Sequence, residues 1–293
     1  MLFDTHKFDP LTTGPRALFA PVVTSSRSPL LESDYNLHKS NSTYFSDLDS
    51  TRSHLVCVTL REGIRSLSKN PGQVITPDGK KAKGKWSIML GGVACSFKRE
   101  IGMYQGYEMW SRVLCWDRKW IYVISHFVQK GTVKPDGWII DDGSLMGRLF
   151  GARSKKGKGV KPKSLNESLE IVPNIPHKAL FATAISKYVM KIGRLTIHPE
   201  VVMDISGLLP PRPGGWNTMK GEKIEGNGST TEPVEESTNG SAKTGDDWDW
   251  KRVVAENARG LEFAEHLAAM DDLHSEFTAD TKPALGKYKD LFW

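Results

Sequence analysis

The run Asp34-Tyr-Asn-Leu-His38-Lys-Ser-Asn41-Ser-Thr-Tyr44-Phe-Ser-Asp47-Leu-Asp49 gathers the residues of this chain that could do chemistry. A short apolar lead-in (Pro29, Leu30, Leu31) brings in Asp34, a loop with His38 follows, and Asn41 stands at the start of a helical pattern. A carboxylate aimed across a helix N-terminus suits the hydrolysis of an activated acyl group. The N–H groups of the first helical turn can polarise a carbonyl oxygen while the carboxylate acts as base or nucleophile. Each residue also has a plainer reading. Asp34 suits a turn, His38 can orient the loop rather than move protons, and Asn41 suits the N-cap. Tyr44 reads as core, and Asp47 and Asp49 sit well near the positive helix end or paired with Arg52.

The elements that must hold these residues follow from periodicity. A helix is predicted from Asn41 or Ser42 to about Ser68, with Tyr44, Leu48, Leu55, Val58 and Thr59 near one stripe and apolar character over much of its girth. Asn70-Pro71-Gly72 closes it, and 71–85 reads as an exposed loop with a Pro-Asp-Gly turn. Strands come next. Ile88–Phe97 contains Gly91-Gly92, a mark of a bulge or a close backbone approach. Glu108–Trp116 and Trp120–Val128 form an aromatic hairpin about an Asp117-Arg-Lys119 turn, with Trp110, Arg112, Leu114 and Trp116 alternating against Met109, Ser111, Val113 and Cys115. Leu180–Met190 is a further strand, and Pro199 opens a short helix. Asp246 to Phe277 reads as a final helix with Trp250, Val253, Leu261, Ala264 and Leu267 in one stripe. One long helix before about four antiparallel strands predicts an α+β fold with a curled sheet wrapped around the helix.

Composition bounds the rest. At 293 residues, with 39% apolar and 25% charged residues, the chain has ordinary globular make-up. No apolar run approaches the ~18 residues of a membrane span, and the N-terminus lacks the pattern of a secretory signal. Cys57, Cys95 and Cys115 lie in apolar segments and read as buried thiols in a reducing, cytoplasmic setting, without metal-ligand spacing. The net charge is +6, but six basic residues fall in Arg153–Lys163, and without them 34 basic residues face 34 acidic ones. The basic character thus belongs to one Gly-rich loop, which lacks the interleaved aromatics of a nucleic-acid surface and is read as a disordered insertion. Residues 1–27 are expected to be irregular and 211–245 to be a disordered linker. No Gly-x-x-x-x-Gly-Lys phosphate loop or Gly-x-Ser-x-Gly elbow is present.

The order strand, Asp-x-x-x-His-x-x-Asn-x-x-Tyr, long helix, strands resembles the hot-dog fold acyl-CoA thioesterases of the 4-hydroxybenzoyl-CoA thioesterase-like branch. Asn41-Ser-Thr-Tyr44-Phe-Ser-Asp47-Leu-Asp49-Ser-Thr-Arg52, and the tail with Trp250 and Arg259-Gly260, are similar to fungal proteins related to thioesterase superfamily member six. Some of their relatives are encoded in secondary-metabolite clusters. The resemblance spans 28–205, with 132–176 as an insertion and 246–280 as a helix packed on the domain. It implies an acyl-CoA or acyl-carrier-protein thioesterase that needs no cofactor beyond the coenzyme A of its substrate. It further implies catalysis by Asp34, an oxyanion site at the Asn41 N–H, loop orientation by His38, and an acyl site lined by Tyr44. Lys98 and Arg99 would either meet coenzyme A phosphates or form a solvated strand end. The family's His-x-Asn-Asn element is His38-Lys-Ser-Asn41 here, with Ser40 in place of the first Asn and Leu37 where a Gly is common. Edge-to-edge pairing of two sheets implies a homodimer. The alternative is a hot-dog protein that binds an acyl group or a partner without turnover.

Overall fold

The computed structural model describes residues 14–76, 79–135, 175–213 and 249–276. Alternating side chains build a six-stranded antiparallel sheet from β1 (Val22–Arg27), β2 (Trp86–Phe97), β3 (Gly106–Trp116), β4 (Trp120–Gln129), β5 (Leu180–Ile192) and β6 (Leu195–Ile197). The order is β1-β3-β4-β5-β2, with β6 pairing on β5, so β1 and β2 form the two edges. Among the described residues four α-helices accompany the sheet: α1 (Asn41–Thr59), α2 (Arg61–Lys69), α3 (Pro199–Ile205) and α4 (Trp250–Ala268). This is the hot-dog arrangement expected of the resemblance, with α1 against one face of the sheet and α4 against the other.

α1 does not present apolar residues all round. It buries a single stripe of Tyr44, Leu48, Thr51, Arg52, Leu55 and Thr59 and leaves Ser42, Ser46, Ser50 and Ser53 in solvent. The buried stripe is itself polar at its middle. Tyr44 and Leu48 pack with Tyr107, Met109 and Phe127, and Leu55 packs with Val113, Val123 and Met190, in two separate clusters. Between them Thr51 Oγ1 bonds Ser111 Oγ at 3.0 Å, Ser111 Oγ bonds Ser125 Oγ at 2.7 Å, and Arg52 Nη1 donates to Ser186 Oγ at 2.6 Å. These partners satisfy hydroxyls that would be costly to bury alone.

The predicted single helix to Ser68 is two helices. Leu60 leaves helical geometry (φ −100°, ψ 9°), and α2 turns onto α3, where the Gly63 N–H donates to Ser206 Oγ at 3.0 Å. Val22–Arg27, within the segment expected to be irregular, is a strand because its backbone pairs with β3 from Val22↔Ser111 to Arg27↔Gly106. The aromatic hairpin forms with a bulge between Val113 and Cys115. The bulge exchanges the expected faces at the strand end: Cys115 packs on the α4 side and Trp116 on the α1 side. The Gly91-Gly92 pair carries both predicted features, a register shift at Leu90/Gly92 and a Gly91 backbone pressed on the Trp120 ring. Cys57, expected to be buried, is exposed, since two positions past Leu55 a helix faces away from the sheet. Gly260, Ala264 and Leu267 seat α4 on Leu114, Cys115 and Tyr122, while Val253 at its start joins the cluster of Phe19 and Trp116. The basic loop and the 214–245 part of the linker lie outside the described residues.

Candidate active site

Local hydrogen bonding explains how the chain presents Asp34. After a 3-10 turn at Leu30–Glu32, Ser33 and Lys39 bridge as the arms of a tight hairpin. The Asp34 N–H donates to His38 O at 2.7 Å, and the Leu37 N–H donates to Asp34 O at 3.0 Å. Asp34 Oδ1 accepts from the N–H groups of Asn36 (2.8 Å) and His38 (3.1 Å), so this oxygen does the work of a turn residue. Asp34 Oδ2 has no hydrogen-bond partner among the described residues, and the carboxylate is half-buried. The turn closes with Leu37 at φ 62°, a left-handed conformation, which accounts for the family's glycine at this position. The hairpin is held on its flank by the segment after β2: His38 bridges Gly102, and the Lys39 N–H donates to Ile101 O at 2.8 Å. His38 Nε2 lies 3.5 Å from Glu100 Oε2, which ties the ring to that flank.

The second arm of the hairpin runs directly into α1. Ser40, not Asn41, occupies the N-cap: it keeps extended geometry (ψ 136°), and its carbonyl accepts the Thr43 N–H at 3.0 Å. Asn41 is the first helical residue. The Ser40 hydroxyl bonds Ser42 Oγ at 3.1 Å and makes no bond to the helix backbone. No described side chain therefore caps the helix, and the N–H groups of Asn41 and Ser42 are free to receive an anionic oxygen. A carboxylate with one open oxygen, at the turn of the hairpin, and an uncapped helix start, at the end of its second arm, thus belong to one continuous hairpin–helix unit.

Beneath the hairpin is a charged cluster that sequence reasoning missed. Lys39, with a side chain 0% exposed, places Nζ 2.6 Å from Glu32 Oε2 and 3.0 Å from Asp47 Oδ2. Asp47 also accepts a hydrogen bond from the Tyr107 hydroxyl. The Tyr44 and Tyr107 rings flank the ammonium at 5.6 and 5.4 Å. Burial pushes the Tyr44 hydroxyl up to about 12 against the pull of Lys39, and raises Tyr107 with help from its bond to Asp47. Asp47 and Asp49, read together in the sequence, have separate partners: Asp49 pairs with Arg52 and Asp47 with Lys39. The available signal was Glu32, Lys39 and Asp47 flanking one short segment, but charge spacing across a turn does not reveal which side chains point inward.

Tyr44 is buried, with its ring packed on Phe97 (5.1 Å between centroids) and Phe127 (4.8 Å), so it joins the core beneath the hairpin. Lys98 and Arg99 follow β2 at the same end as His38 and are exposed. The Arg99 guanidinium is engaged, donating to Lys178 O and lying 4.9 Å from the Phe181 ring. Leu31, Tyr35, Leu37 and Tyr104 leave an apolar rim around the hairpin, Leu31 being 97% and Tyr35 94% exposed. Two cavities elsewhere, of about 80 and 240 Å³, are lined by Trp110, Arg112 and His126 and by Trp116, His198 and Asn257 respectively. Neither is lined by hairpin residues. No group of three or more His, Cys, Asp or Glu side chains among the described residues could hold a metal ion.

A family model described as the thioesterase-like superfamily matches residues 29–159, a stretch that begins at the hairpin's lead-in and includes α1. Thioesterase poxG of Penicillium oxalicum is 35% identical over 290 residues, covering 97% of this chain and 80% of that protein. Probable thioesterase atnL of Emericella nidulans is 35% identical over 282 residues, covering 95% and 77%. Among solved structures, a 1,4-dihydroxy-2-naphthoyl-CoA thioesterase from Synechocystis aligns over 64% of this chain and 95% of its own, at 7% identity and a TM-score of 0.38.

Proposed function

The chain belongs to the thioesterase-like superfamily and is a thioester hydrolase, and from that premise we propose that Asp34 and the start of α1 cleave acyl thioesters of coenzyme A or of an acyl carrier protein. The observation that carries the proposal is the open Asp34 Oδ2 in the turn of the hairpin whose second arm leads directly to the uncapped N–H groups of Asn41 and Ser42. The thioester carbonyl oxygen accepts the Asn41 N–H, which favours the negative charge that develops on it. Asp34 either adds to the carbonyl carbon itself or takes a proton from a water that adds there. Collapse of the tetrahedral adduct breaks the C–S bond: on the water route the sulfur leaves as the thiol with the proton Asp34 has taken, and on the direct route it leaves as the thiolate and is protonated by solvent. On the direct route, water then hydrolyses the acyl–Asp34 anhydride. His38, tied to Glu100, orients the loop.

The acyl group would lie against the aromatic end of the core near Tyr44, with the exposed Lys98 and the strand end by Arg99 toward the nucleotide phosphates. β2 is an edge strand with Met89, Leu90 and Phe97 exposed, which supports a homodimer through this edge. Sedimentation at a single-chain mass would contradict it. The fungal relatives support a substrate from fungal secondary metabolism. No helix of the described residues is long and apolar enough to cross a membrane. The three free cysteines support a cytoplasmic setting, which recovery of the tagged chain in a membrane pellet would contradict.

The test is thiol release from fatty, aromatic and β-ketoacyl thioesters of both carriers, wild type beside Asp34→Asn. The variant is expected to fold normally and to lose about 10²–10⁴-fold in kcat, the worth of a positioned acid or base. Equal turnover by the variant would remove Asp34 from the mechanism. Acyl binding with no release from any thioester would favour the non-catalytic alternative.

A further inference from the structure

Lys39 lies between the two parts of the proposed machinery, one residue after His38 and one before the N-cap Ser40. Its Nζ joins Glu32, on the arm entering the hairpin, to Asp47, in the second turn of α1. Asp47 in turn holds the Tyr107 hydroxyl of β3. Three segments therefore converge on one ammonium: the arm leading to Asp34, the helix bearing Asn41, and the sheet beneath both. The backbone adds one direct tie between the arms at this level, from the Ser40 N–H to Glu32 O at 2.7 Å. Stability alone does not call for such a cluster. Removing charges from water is costly, and buried ion groups replaced by well-packed neutral residues often leave stability unchanged or improved. What a buried ion group can supply instead is registry, since the segments carrying its charges must meet at one point for the ammonium to be compensated.

We propose that Lys39 is a positioning residue for thioester hydrolysis, fixing the Asp34 hairpin against the start of α1 so that the carboxylate and the Asn41 N–H address one carbonyl. The inference rests on the reading of Asp34 and Asn41 given above. It differs from a purely structural role in what it demands of kcat. Lost registration between the carboxylate and the oxyanion site slows the chemical step, while contacts with the rest of the substrate, and hence KM, are kept.

The experiment compares wild type, Lys39→Arg, and the charge-free triple variant Glu32→Gln/Lys39→Met/Asp47→Asn. The triple variant retains side-chain volume and an acceptor for Tyr107, which keeps it folded where Lys39→Met alone would leave the partly buried Asp47 carboxylate without its cation. Its kcat is expected to fall about 10–100-fold with KM within about threefold, at a melting temperature close to wild type. Lys39→Arg, which keeps the cation, should recover part of that loss. Hydrogen exchange of peptides covering 32–42 should be faster in the triple variant and near wild type in Lys39→Arg. A triple variant with wild-type kcat, or with unchanged exchange at 32–42, overturns the proposal, and so does a kcat that falls only in step with global unfolding. The exchange measurement needs no substrate. A wild type that releases no thiol therefore counts against the thioesterase reading, while exchange still decides whether Lys39 fixes the hairpin.

Discussion

Acidification should reveal the half-buried imidazole of His126 as a loss of stability. This residue lies on the α4 side of β4, in the small cavity with Pro21, Trp110, Arg112 and Ile124, and its Nδ1 is 2.9 Å from Thr183 Oγ1. Burial, with a smaller push from the Arg112 guanidinium, lowers its pKa from 6.5 to about 4. Above pH 6.5 the ring is neutral in both folded and unfolded chains, and its contribution to stability is fully present. As the pH falls below 6.5 the unfolded chain takes up a proton that the folded chain refuses until about pH 4, so stability is lost across that window. Between about pH 7.5 and 4.5 the loss from this one group is about 2.5 kcal/mol. His126→Gln keeps a hydrogen-bonding partner for Thr183 and does not titrate. Urea unfolding of both proteins at the two pH values isolates the effect, because carboxylates and His198 contribute alike to each and cancel. The variant should lose about 2.5 kcal/mol less than wild type on acidification. A difference under about 0.5 kcal/mol would mean that the ring is protonated, or wet, in the native protein, and the reasoning would fail.

Two further predictions concern backbone geometry. A Cβ at Gly260 would sit 2.5 Å from Leu114 O, so Gly260→Val should lift α4 from the sheet, costing about 1–3 kcal/mol in urea unfolding and hastening proteolysis of α4. Leu37 holds φ 62° with an exposed side chain, so Leu37→Gly should stay within about 0.5 kcal/mol of wild type in thermal unfolding, whereas β-branched Leu37→Val should cost about 1–2 kcal/mol.

Much of the fold was legible because its signals are local. The Trp110–Trp120 hairpin announces itself by alternation around Asp117, which accepts the Lys119 and Trp120 N–H groups at 2.6 and 2.7 Å. α4 announces itself by its stripe and by Asp249, whose side chain caps it through the Arg252 N–H at 2.8 Å. The failures are tertiary. Val22–Arg27 has the Thr and Ser content of a loop and becomes a strand because β3 offers an open edge. The face exchange at Cys115 and Trp116 depends on a bulge that strict alternation cannot foresee, and the end of α1 at Leu60 follows from the packing of Gly63 on α3.

The site divides in the same way. Asp34, His38 and Asn41 are linked by short spacing, so a sequence motif can hold them together, and the hairpin joins the Asp34 turn to the start of α1. The cap was misassigned by one position because Asn and Ser are equally good N-caps; the choice falls to Ser40, whose N–H is already drawn to Glu32 O by the hairpin. Lys39 and Asp47 were harder to read for a reason that applies to any buried ion. A lysine among polar residues reads as solvated, and what buries it is the closing of the Ser33–Lys39 bridge, which turns its side chain under the loop toward Tyr107 on β3. Once that turn is made, the ammonium needs anions within reach, and Glu32 and Asp47 are the carboxylates at bonding distance. The same closing that directs Asp34 outward thus directs Lys39 inward, so the outward carboxylate and the buried cation are two consequences of one turn.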